Sequence, residues 1–199
     1  MVFLLVLMLL CWAMYKRRFR FAGSFLGSMA GLAGASWIAE PGWVGGFIRQ
    51  MARYPSYTAI GSPIWIITHV TFPALGVWGE VVLSALVIIF LTGAVWWALR
   101  QQAAGWFEWA AGLCLIVANL VALRTATTNY VILLLPLVMV FRALQRIRRG
   151  AWWVLLVEVV LLVGLWVLFL TTLVGKFEHP LVYLPLPFGL LAVFALGHR

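Results

Sequence analysis

The chain has 199 residues, of which 65% are hydrophobic and only 10% charged, with a mean hydropathy of +1.08. A soluble domain of this size needs more polar surface to cover its core, so the composition excludes an ordinary water-soluble fold and fits a membrane. The net charge of +9 would point to nucleic acid in a soluble protein. Here the basic residues form short clusters between apolar runs, as in cytoplasmic loops beside anionic lipid, so membrane lipids and not nucleic acid are the expected partners.

A crossing helix needs about 20 apolar residues for a hydrocarbon core of about 30 Å. The first run, Met1–Tyr15, has no basic region ahead of it and so does not read as a cleavable signal. It is short for a crossing and is expected to be the trimmed end of a longer N-terminal part. Lys16, Arg17, Arg18 and Arg20 follow. The second run, Phe21–Ala39, carries Gly23, Gly27 and Gly31 four apart, with Ala35 continuing the stripe. Small residues at that spacing let helix backbones approach, which predicts packing within this protein; a dimer face is the weaker reading.

Residues 40–76 read as an external loop. Trp43–Tyr54 predicts a short interfacial helix, with Phe47 and Met51 on one face and Arg49 and Arg53 on the other. Two readings compete for it. It rests on lipid headgroups, or it is a lid whose Arg53, Tyr54, Ser56, Tyr57 and Thr58 meet a sugar. Pro63–Leu75 is apolar but only 13 residues long, which predicts a re-entrant or interfacial piece that does not cross. His69 lies midway along it beside Thr68 and Thr71. A lone His there is either hydrogen-bonded structure or a group approaching the site from outside.

Five further runs complete an all-α, polytopic transmembrane bundle of about seven spans in one domain: Val77–Leu99, Trp106–Leu123, Tyr130–Leu144, Ala151–Val174 and Leu181–Leu196. Trp78, Trp96, Trp97, Trp106, Trp152 and Trp153 fall at run ends, where amphipathic rings anchor at the interface. Seven crossings place ten of the 14 Lys and Arg residues inside and four outside. Letting Pro63–Leu75 cross would set Arg142, Arg146, Arg148 and Arg149 opposite the cluster at 16–20, against the positive-inside rule. The expected topology in the cell membrane is therefore N-terminus outside and C-terminus cytoplasmic.

The chain contains no Asp, and its acids are Glu40, Glu80, Glu108, Glu158 and Glu178. No carboxylate cluster, HExxH, P-loop or GxSxG stands in it, and His69, His179 and His198 are too scattered for a metal. No catalytic centre, metal or cofactor is expected from the residues alone. Cys11 and Cys114 read as small buried hydrophobes. A polar turn, Arg124 to Tyr130, is the more suggestive feature, with Asn119 deeper on the preceding helix and Thr171, Thr172, Lys176, Glu178 and His179 assigned to the same side. Thr128 or Asn129 reads either as the cap of a helix beginning at Tyr130 or as part of a headgroup pocket. Arg124 runs against the charge bias and suits a phosphate, so a functional role is expected for it. Glu158 sits in the cytoplasmic half of its run, where a structural pairing or a protonated carboxyl is expected.

The stretch from Lys16 to Ile66, with its basic loop, small-residue helix, Pro41-Gly42-Trp43 turn, amphipathic loop helix and Ser62-Pro63-Ile64-Trp65, resembles the middle of glycosyltransferase family 87. Arg124 to Asn129, leading into Leu133-Leu134-Leu135-Pro136, resembles that family's external polar turn and the helix after it. The resemblance implies a GT-C-type membrane enzyme that moves a sugar, mannose in many members, from a polyprenyl-phosphate donor to an acceptor at the outer face. It implies an inverting displacement whose base is an Asp in the first external loop. With no Asp, this chain resembles the C-terminal portion: Arg124 would hold the donor phosphate, with Thr128, Asn129, Tyr130 and Asn119 beside it and no catalytic residue assigned. The alternative is a lipid-binding or scaffolding membrane protein that lacks the base.

Overall fold

The computed structural model describes residues 3–57, 61–101, 105–122, 127–147, 151–172 and 179–196, and all regular structure among them is helical. The chain divides into two compact units, Phe3–Ala59 and Ile60–Arg199, the latter grouped with Met1–Val2. Among the described residues three helices are long and apolar enough to cross a membrane: Phe19–Ala39, Gly76–Arg100 and Val154–Thr171.

The first unit contains α1 (Phe3–Tyr15), α2 (Phe19–Ala39) and α3 (Trp43–Tyr57). The turn from α1 to α2 is closed by Arg17 in the left-handed region, φ 53°, and by the Arg18 guanidinium lying 5.1 Å from the Trp12 ring centroid. A Cβ added at Gly23, Gly27 or Gly31 would meet no described atom within 4 Å. Cys11 is exposed on α1, contrary to expectation, because an apolar helix of this kind turns small residues outward as readily as inward; Cys114 is buried. The amphipathic helix expected at Trp43–Tyr54 is present and extends to Tyr57, with Phe47 and Met51 exposed on its apolar face.

The second unit is built around α6 (Trp106–Leu120), which is buried without a break from Ala110 to Leu120. Its 15 residues rise about 22 Å, less than a full hydrocarbon core. This helix is a core element enclosed by neighbours, and its apolarity reflects protein contact as much as lipid. α5 (Gly76–Arg100), α7 (Leu134–Ile147) and α9 (Pro185–Leu196) pack on it, and α8 (Ala151–Thr172) lies against α7. Gly112 permits a close approach: a Cβ there would stand 2.7 Å from Phe194 Cε1 and 3.2 Å from Met139 Sδ.

Two expected helix starts are broken. The run at Tyr130 begins as a 3-10 helix, Thr127–Leu133, and turns α-helical only at Leu134; the run at Leu181 begins as a 3-10 helix, Pro180–Tyr183, before α9. Pro136, Pro185 and Pro187 explain both. Each lacks a backbone N–H and is tolerated in the first turn of an α-helix but not deeper, so the α-helix must start just ahead of it. The capped α-helix expected to begin at Tyr130 is therefore replaced by a tighter turn.

Candidate functional site

The segment after residue 60 sets up one end of the second unit. Gly61, Ser62, Pro63 and Ile64 are buried. Ser62 Oγ accepts from Trp65 N at 2.9 Å, and Pro63 occupies the first helical position, a strong local start signal. The result is α4 (Pro63–Ile66) running straight into a π-helical turn, Ile67–Thr71. These nine residues rise about 14 Å at most, roughly half a hydrocarbon core. The chain then reverses through Phe72–Leu75 and packs the π turn on the start of α5, where Thr68 Cγ2 approaches Gly79.

α4 contacts both α5 and α6. The 3-10 helix Thr127–Leu133 packs on α6 and α7, and Pro180–Tyr183 on α4, α8 and α9. Tyr130 donates its hydroxyl to Val182 O at 3.3 Å and meets Tyr183 edge-on, with ring centroids 5.9 Å apart. His179 caps the second 3-10 helix by accepting from Leu181 N at 3.2 Å.

Polar atoms are scarce here and unevenly served. Asn119, in the last turn of α6, is wholly buried, and neither its Oδ1 nor its Nδ2 has a hydrogen-bond partner among the described residues. An unpaired amide in an apolar site costs on the order of 2–7 kcal/mol, so such a group calls for a ligand or an ordered water. Thr68 is also wholly buried and donates to the carbonyls of Ile64 and Trp65, both at 3.2 Å. His69 stacks on Trp65 at 5.0 Å and 13°, and its Nδ1 lies 3.9 Å from Glu80 Oε2.

Three expected residues, Asn119, Tyr130 and His69, lie in the second unit. Thr128 and Asn129 lie in the 3-10 helix beside them, with their side chains outside the described residues, as is Arg124 altogether. Arg53, Tyr54 and Tyr57 lie on α3 in the other unit, the side chains of both tyrosines outside the described residues. Glu80, Ser62 and Tyr183 were not anticipated. Glu80 was legible in one respect: it and His69 are about equally far from the reversal at Phe72–Leu75, so folding the segment back brings them together.

Two other hollows hold less chemistry. A groove of about 240 Å³ between α6, α7 and α9 is lined by apolar side chains, among them Met139, Ala143, Leu144 and Phe194, and crossed by the Trp109 Nε1 bond to Phe194 O at 3.2 Å. A second, of about 390 Å³, lies between α7 and α8 beside Gln145, Trp152 and Glu158. Glu158 is exposed there, and Arg148 and Arg149, near which its pairing was expected, lie outside the described residues.

No protein-family model, curated protein or solved structure matches the chain.

Proposed function

We propose that this chain is a multi-pass membrane glycosyltransferase, or the C-terminal, donor-holding portion of one, that transfers a sugar, mannose by resemblance, from a polyprenyl phosphate to an acceptor at the outer face. The observation that carries this reading is the buried, unpartnered amide of Asn119 on α6, a helix that the short α4 and the 3-10 helix Thr127–Leu133 both contact. Intramembrane polar groups without partners mark substrate sites, and non-helical backbone at membrane depth is tolerated where it lines a cavity or is buried in protein. Arg124, between Asn119 and Tyr130 in the sequence, would supply a guanidinium for the donor phosphate. The orientation that goes with this reading has the N-terminus outside, the C-terminus cytoplasmic and about seven crossings.

The complete lack of Asp in the sequence favours a second reading, a lipid-binding or scaffolding protein without a base of the family's kind. Purified protein in lipid nanodiscs, given a radiolabelled polyprenyl-phosphate mannose and a soluble mannoside acceptor, separates the two. Sugar transfer supports the enzyme; donor binding without transfer supports the scaffold. Arg124→Ala is expected to weaken donor binding by about 1.5–3 kcal/mol, the worth of a charged hydrogen bond. Unchanged donor affinity would remove Arg124 from the proposal.

A further inference from the structure

The surroundings of His69 favour one tautomer. Thr68 Oγ1 lies within reach of the carbonyls of Ile64 and Trp65 and, at 3.0 Å, of His69 Nδ1, and its one hydrogen can serve only one of them. The second neighbour of Nδ1, Trp65 O at 3.2 Å, only accepts. The third, the Glu80 carboxylate at 3.9 Å, also accepts when ionised. Two neighbours of Nδ1 only accept and the hydroxyl can do so too, so the Nδ1–H tautomer suits all three and places the lone pair of the neutral ring on Nε2. No described group bonds Nε2, and the side chain is 25% exposed. The Trp65 ring holds the imidazole plane, and the π-helical turn that carries it is a geometry common at functional sites.

We infer that His69 is a general base, its Nε2 taking the proton of the acceptor hydroxyl, with Thr68, Trp65 O and Glu80 as positioning groups. The inference rests on the proposed sugar transfer and supplies the base that a chain without Asp otherwise lacks. As the acceptor oxygen attacks the anomeric carbon, its proton passes to Nε2. The bond from that carbon to the donor phosphate oxygen breaks, and its electron pair leaves on the polyprenyl phosphate. The products are the glycoside, the lipid phosphate and an imidazolium. Glu80 stabilises the positive charge as it forms, in the way a carboxylate behind a catalytic histidine does. Proton release from the ring to water completes the cycle.

The test compares wild type, His69→Ala and Glu80→Gln, each as the full chain in nanodiscs, in the transfer assay above. His69→Ala is expected to lower kcat by about 10²–10⁴-fold with donor binding retained, the usual worth of a general base. Added imidazole should restore part of that rate, a rescue that a merely structural histidine does not give. Glu80→Gln is expected to lower kcat with little change in KM. Independently of activity, nitrogen-15 NMR of wild type should show the Nδ1–H tautomer at His69. Wild-type transfer with an undiminished His69→Ala rate, or a loss that imidazole does not rescue, would overturn the base and leave the sugar-transfer reading standing. An Nε2–H tautomer would overturn the base whatever the variants do. No transfer by wild type would remove the sugar-transfer reading and the base with it.

Discussion

Gly61→Ala tests the packing that orients Trp65 and, through it, His69. A Cβ at Gly61 would stand 2.7 Å from Trp65 Cβ and 2.5 Å from Cδ2, and would overlap Cγ. Carbon atoms rest at about 3.5–4.0 Å, so the intrusion is about 1 Å. Trp65 Cβ is anchored to the α4 backbone, so rotating the indole does not relieve the contact; residue 61 or the start of α4 must move. Overpacking of this kind costs about 1–3 kcal/mol, and displacing the Ser62 cap adds about 1 kcal/mol. The stiffer unfolded chain returns about 0.4–1 kcal/mol. The net expectation is a destabilisation of about 1–3 kcal/mol, with the Trp65–His69 stack opened. Thermal unfolding in detergent, followed by circular dichroism, measures the first effect. The rate of carbethoxylation of His69 by diethylpyrocarbonate measures the second and should rise. Gly23→Ala is the control: nothing lies within 4 Å of its Cβ, and it should unfold no earlier than wild type. A Gly61→Ala protein as stable as wild type, with unchanged His69 labelling, would refute the reasoning.

Asn119→Leu replaces a buried, unpartnered amide by an apolar group of similar size and should raise stability by about 1–3 kcal/mol in the same unfolding assay, while lowering donor binding; a loss of stability would mean that the amide is bonded in the protein. Tyr130→Phe keeps the ring beside Tyr183 but loses the bond to Val182 O, so about 0.5–1.5 kcal/mol of stability should disappear. Cysteines placed at Ser56 and Gln145 report the topology through a membrane-impermeant reagent: Ser56→Cys should label in intact cells and Gln145→Cys only after permeabilisation, and the reverse result would invert the assigned orientation.

Composition and run length determined by themselves that this chain is all-helical and apolar, where its helices lie to within a few residues, and that Pro63–Leu75 is too short to cross. Those are local properties: hydropathy, proline positions and 1.5 Å of rise per residue act wherever the chain goes. The same local signals misjudged what surrounds each helix. They cannot tell whether an apolar helix is enclosed by protein, as α6 is, or left exposed, as α8 is, since both select the same side chains. Tertiary structure alone decided which polar atoms meet. The reversal at Phe72–Leu75 sets Glu80 beside His69, and the packing of the 3-10 helices sets Tyr130 against Val182 and Tyr183. Whether an amide is satisfied, or which imidazole nitrogen is left open, depends on partners far along the chain, which no residue carries in its own sequence neighbourhood.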